Sequence, residues 1–169
     1  MNVVTYLAYG SNLHPQRLRK RVPSAALSGV VELRGWKLCF HKRSNKDGSG
    51  KCSIVRTNDS ADVVYAAIFT LMEAERHLLE GVEGVGYGYN EIHLEIPRHG
   101  DVFTYIASPG YIADELRPYT WYKELVVVGA SFHKFPASYI EEIGRVEAVE
   151  DLNEERNERK WSLVRSLNV

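Results

Sequence analysis

Apolar positions in this chain switch between an alternating period and a helical one, and the switches predict a β-rich domain whose helices gather in the last third. Residues 3–9 (VVTYLAY) read as an apolar strand that breaks into the polar turn Gly10-Ser11-Asn12. His14-Pro15 opens a short helix over 15–21, Pro15 being suited to a first helical turn. A connector at 23–26 leads into a β-like stretch at 30–41, whose apolar positions Val31, Leu33, Leu38 and Phe40 are interrupted by Gly35, the mark of a bend or bulge. The segment SNKDGSG at 44–50 is a polar, glycine-rich loop. Strands follow at 52–57 and 63–70, joined by Asn58-Asp59-Ser60, and the second is apolar throughout, which suits a central place in a sheet.

Beyond residue 72 a short helix from Glu73 to about Leu79 runs into EGVEGVGYGY at 80–89, where glycines interrupt any regular period. Residues 90–96 and 102–107 form a hairpin across PRHGD at 97–101. Helical patterns cover 119–131 and 137–146, punctuated by Gly129 and Pro136. Residues 147–160 are dominated by charged side chains and asparagine, as in a solvated face or a frayed tail. The expected architecture is α+β: a mixed, antiparallel-rich sheet curled into a small barrel with flanking helices. One domain at 1–146 carries a charged C-terminal extension at 147–169.

At 169 residues the chain is long enough for one domain with a substantial core. A formal net charge of -1 argues against a nucleic-acid or membrane-surface role driven by bulk charge. No basic stretch followed by an apolar run opens the chain and no segment approaches membrane-spanning length. Cys39 and Cys52 fall in no CxxC or Cys/His pattern, so a reduced, cytoplasmic chain with free thiols is expected. The histidines show no metal-ligand spacing, and no metal site is expected.

Two stretches carry candidate chemistry. Tyr9-Gly10-Ser11-Asn12 couples a buried strand to a glycine turn and a helix start, a set of backbone N–H donors suited to an anion such as a carboxylate. The surrounding YGSNL is not the GxSxG of a nucleophile elbow. In the second stretch, Glu83 sits among Val82, Gly84 and Val85 with Tyr87 and Tyr89 nearby. Desolvation there would raise a carboxyl pKa and suit it to proton transfer near neutrality. The plainer reading is a surface glutamate in a glycine loop, and Glu80, in the same Glu-Gly-Val setting, competes for the role. The alternating glycines at 84–88 precede a strand rather than a helix and make no dinucleotide fingerprint. Further along, Trp121 reads as packing, while Tyr122 offers a hydroxyl to a ligand.

In their order along the chain these pieces resemble the γ-glutamylcyclotransferase family, which includes AIG2-like proteins. The likeness spans about residues 5–145. It runs through Tyr9-Gly10-Ser11-Asn12-Leu13, Pro23-Ser24-Ala25-Ala26, Trp36-Lys37-Leu38 and the segment from Glu83 to Tyr89, then Tyr105, Tyr122-Lys123 and Val128-Gly129-Ala130. It implies release of 5-oxoproline from a γ-glutamyl peptide or amide by attack of the substrate's own α-amino group, with no metal or cofactor. In the family an acidic residue at a helix end precedes the catalytic glutamate by three positions, which gives Glu80 the first place and Glu83 the second, as general acid and base. Tyr9, Gly10, Ser11 and Asn12 become the substrate-binding turn, and Tyr89, Tyr105 and Tyr122 its walls. The implied partner is a small γ-glutamyl substrate, with no nucleic acid or membrane and a homodimer left open. A γ-glutamylamine cyclotransferase and a non-catalytic AIG2-like binding module are the rival readings.

Overall fold

The computed structural model describes residues 2–83 and 88–167, with the backbone alone at 81–83. Strand β1 (Val3–Ala8) lies in the middle of a five-stranded sheet, antiparallel to β5 (Val63–Met72) and parallel to β7 (Gly100–Ala107). β2 (Ala26–Arg34) adds to β5 and β6 (Tyr89–Ile96) adds to β7, both antiparallel, giving the order β2-β5-β1-β7-β6. β3 (Trp36–Arg43) and β4 (Gly50–Arg56) pair with each other as a separate two-stranded sheet. The helices are α1 (Pro15–Arg21), α2 (Arg76–Glu83), α3 (Thr120–Phe132), α4 (Ala137–Gly144) and α5 (Glu154–Ser166).

The central place of β1 and β5 follows from their composition. Leu7, Ala8, Ala66, Ala67, Ile68 and Phe69 are fully buried, so both strands are covered on both faces. The β6–β7 hairpin keeps its expected position and turns through Arg98 and Gly100 in the left-handed region. Cys39 and Cys52 are free thiols. No helix among the described residues is long and apolar enough to cross a membrane.

The α+β class and the antiparallel-rich sheet stand as expected, but the strands do not close into a barrel: β2 and β6 remain edges of an open sheet. Gly35 supplies the reason. At φ +83° it splits the β-like stretch into β2 and β3 and sends the two halves into different sheets. The corner is tied down by Gly35 N–H donating to the Asp62 carbonyl and by Thr57 N–H donating to the Gly35 carbonyl, at 2.8 and 2.7 Å. β4 and β5, adjacent in sequence, therefore belong to separate sheets as well.

The charged stretch after residue 147 is not a frayed tail. Asn153 caps α5, its side chain accepting from Arg156 N–H at 3.0 Å, and α5 packs on α3 with Val164 and Leu167 in the core. Ahead of the helix the Asp151 carboxylate, with no exposed side-chain surface, accepts from Trp121 Nε1 at 2.9 Å and from the Arg156 guanidinium at 2.6 Å. These bonds hold Asp151 down to a pKa of about 2 against the opposing effect of burial. The high charge content of 147–160 conceals this single buried carboxylate, because composition does not distinguish a solvated acid from a paired one.

Candidate active site

β1 ends beside the β4 backbone, and the turn that follows is fixed from several directions. Leu13 N–H closes it on the Gly10 carbonyl at 3.1 Å, leaving the Gly10, Ser11 and Asn12 amides outside that closure. Asn12 is buried: its Nδ2 donates to Tyr6 Oη at 3.2 Å and its Oδ1 accepts from Arg21 Nη1 at 2.8 Å. Tyr9 Oη donates to the Tyr105 carbonyl on β7 at 2.5 Å. Helix α3 supports the far side. A Cβ on Gly129 would lie 2.6 Å from Leu13 Cβ, and His133 Nε2 is 2.6 Å from the Leu13 carbonyl. Burial lowers the His133 pKa, so the neutral ring donates its Nε2–H there.

Gly10 has a different reason from the one its place in the turn suggests. A Cβ there would meet Cys52 Cβ at 2.9 Å, so the missing side chain permits packing of the turn against β4. Cys52 is held in turn by two tyrosines: its N–H donates to Tyr122 Oη at 3.0 Å, and Tyr89 Oη donates to its carbonyl at 2.8 Å. Tyr105 differs from both. It is 1% exposed, and its hydroxyl has no hydrogen-bond partner among the described residues. Burial, then the charge of Glu80, pushes its phenol well above the ordinary range, so at neutral pH it is a hydroxyl donor without an acceptor.

The structure brings Tyr9, Gly10, Ser11, Asn12, Tyr89, Tyr105 and Tyr122 together around one small cavity of about 20 Å³. Tyr6, Cys52 and Thr104 complete its described lining, and none of these stood out in the sequence. Tyr6 and Thr104 sit within apolar strands, and Cys52 reads there only as a lone thiol. The cavity adjoins a larger one of about 380 Å³, with which it shares Ser11, Tyr89 and Tyr122.

The two candidate acids part company. Glu80 lies in the ion-pair cluster of Arg76, 3.4 Å from Nε, alongside Glu73 and Glu91, with the guanidinium 4.1 Å from the Phe103 ring. Its carboxylate is occupied as a counter-ion. Glu83 is the last residue of α2, and its side chain lies outside the described residues, as does the Gly84–Tyr87 segment that follows.

An open α+β sheet with a glycine turn at the end of its central strand, walled by tyrosines from β6, β7 and α3, defines a domain of γ-glutamylcyclotransferase-like fold. A solved structure named gamma-glutamyl cyclotransferase superposes on it with a TM-score of 0.82 at 24% identity, over 97% of this chain and 99% of that one. No family model matches the chain. The human protein named gamma-glutamylcyclotransferase is 27% identical over 146 residues, 84% of this chain and 78% of that protein. The mouse protein of the same name is 28% identical over 148 residues, with the same coverage. The chain is thus similar in sequence and in fold to proteins named gamma-glutamylcyclotransferase, and these likenesses support an activity of γ-glutamylcyclotransferase type.

Proposed function

We propose that this protein releases 5-oxoproline from a γ-glutamyl peptide or amide, with no cofactor, using Glu83 as general acid and base. The observation that carries this reading is the convergence of the Tyr9–Asn12 turn and three tyrosines from distant elements on one cavity, with the buried Tyr105 hydroxyl unpartnered among the described residues. A buried donor without an acceptor costs about 1–3 kcal/mol, so its persistence suits a site that a ligand completes.

The reaction needs positioning more than reactive groups. The substrate's α-amine attacks its own γ-carbonyl, and holding the two in a near-attack geometry lowers the barrier by about 7–11 kcal/mol in well-oriented intramolecular reactions. The amides of the Gly10–Asn12 turn would hold the glutamyl carboxylate or the developing oxyanion, an arrangement often worth about 3–4 kcal/mol. Glu83 would take a proton from the attacking ammonium and return one to the departing amine, so that the five-membered lactam closes as the γ-amide C–N bond breaks. Glu80 is already engaged as one of the counter-ions of Arg76, which favours Glu83 for that duty.

Glu83→Gln tests the assignment. With γ-glutamyl-alanine as substrate, 5-oxoproline release by the variant is expected to fall by about 10²–10⁴. Equal rates in variant and parent would remove Glu83 from the chemistry. Saturable γ-glutamyl binding with no 5-oxoproline from either protein would leave a binding module instead.

A further inference from the structure

We propose that the larger cavity beside the tyrosine pocket is an anion subsite for the departing half of the substrate, and that the preferred γ-glutamyl amides release an amine bearing two or more negative charges. This rests on the cyclotransferase reading above and adds the substrate class.

The cavity lies between α1, the β3–β4 loop and α5, and continues from the tyrosine pocket past Ser11, Tyr89 and Tyr122. Its described lining is rich in arginine and lysine, with Asp47 as the lone carboxylate. Asp47 is taken by Lys51 at 3.3 Å, and Arg156 is taken by Asp151 at 2.6 Å. Of the other lining cations, Arg17, Lys46, Arg159 and Lys160 form no ion pair among the described residues.

Arg17 is the decisive side chain. It is only 9% exposed, its Nε is buried without a hydrogen-bond partner among the described residues, and it lines the cavity. A buried cation with neither counter-ion nor acceptor is costly unless something brings an anion to it. Burial and the neighbouring Arg21 charge lower its pKa to about 9, and burial with Arg17 and Arg21 lowers that of Lys160 to about 8. Both shifts come first from burial and then from neighbouring positive charge, and an incoming anion would oppose them.

A single α-carboxylate, which any released amino acid carries, can pair with one guanidinium. Four cations with no ion pair among the described residues, around about 380 Å³, match a more highly charged group: a second carboxylate or a phosphoryl group on the departing amine. The same field disfavours a cationic leaving group such as a polyamine. The formal net charge of -1 for the whole chain gives no hint of this local potential.

The test compares substrates matched in shape and differing in charge: γ-glutamyl-glutamate against γ-glutamyl-glutamine, and γ-glutamyl-phosphoethanolamine against γ-glutamyl-ethanolamine. In the parent protein kcat/KM is expected to favour the charged member of at least one pair by roughly tenfold, the size of one charge-assisted hydrogen bond. The favoured pair identifies the anion as carboxylate or phosphoryl. In Lys160→Gln and Arg17→Met that ratio is expected to drop below about threefold. Ratios near one for both pairs in the parent, or unchanged in both variants, would overturn the subsite. Arg17→Met removes an unpaired buried charge, so a thermal midpoint equal to or above the parent's confirms that the variant is folded. Titration of the parent with free phosphoethanolamine and free glutamate separates the two proposals. Binding lost in the variants, with no 5-oxoproline from any substrate, sinks the cyclotransferase reading and keeps the anion site. Turnover of γ-glutamyl-alanine without charge discrimination does the reverse.

Discussion

Tyr105 and Gly10 show how differently two site residues stand towards the fold. The Tyr105 hydroxyl, on a residue only 1% exposed, has no acceptor among the described residues. Tyr105→Phe should therefore leave stability unchanged or raise it by about 1 kcal/mol, while lowering kcat/KM for a γ-glutamyl substrate. Urea unfolding and 5-oxoproline release measure the two effects on the same preparation, and a loss of stability would mean the hydroxyl is structural. Gly10→Ala should act the other way round. Its Cβ would crowd Cys52 Cβ at 2.9 Å, so a destabilisation of about 1–3 kcal/mol is expected in the same unfolding experiment. Both residues were visible in the sequence as members of a candidate site. Neither reason was visible, because each depends on what a separate strand places opposite.

At the scale of elements, α3 and α5 carry the supports. Gly129 looks like a defect in a helix, where glycine costs about 1 kcal/mol relative to alanine. In the folded chain it is where α3 touches the turn after Asn12, and Gly129→Ala would drive a Cβ to 2.6 Å from Leu13 Cβ. The intrinsic gain in helix propensity should be outweighed, giving net loss of stability and a raised KM, readable from denaturation and steady-state kinetics together. For α5 the test is Asp151. Its folded pKa lies at about 2, below the ordinary 3.8, so its contribution is fully present above about pH 4 and is lost as pH falls towards 2. Asp151→Asn, which leaves the half-buried Arg156 charge beside Tyr119 without its counter-ion, should cost about 3 kcal/mol and flatten that acid limb of the stability profile. A variant with the parent's acid limb would show that another carboxylate governs it.

At the scale of the whole molecule, residues 147–167 behave as part of the body. Val164 and Leu167 join the core cluster, and Asp151 bonds to Trp121 on α3. Ending the chain after Val146 should lower the thermal midpoint by about 10 °C or more, seen by circular dichroism. The intact chain should unfold in one transition by tryptophan fluorescence and by circular dichroism alike. The α+β class, β1 with the helix after its glycine turn, the β6–β7 hairpin and the set of tyrosines were all legible in the sequence, since each is a local matter of period, turn chemistry or motif. Tertiary structure decided the rest: an open sheet in place of a barrel, Glu80 as the counter-ion of Arg76, the reason for Gly10, and the gathering of α1 and α5 cations beside the tyrosine pocket. Those outcomes depend on which side chains from distant segments meet. A chain with a net charge of -1 can then hold a strongly basic cavity, because charge balance is counted over the whole molecule while a ligand responds to the few groups within reach.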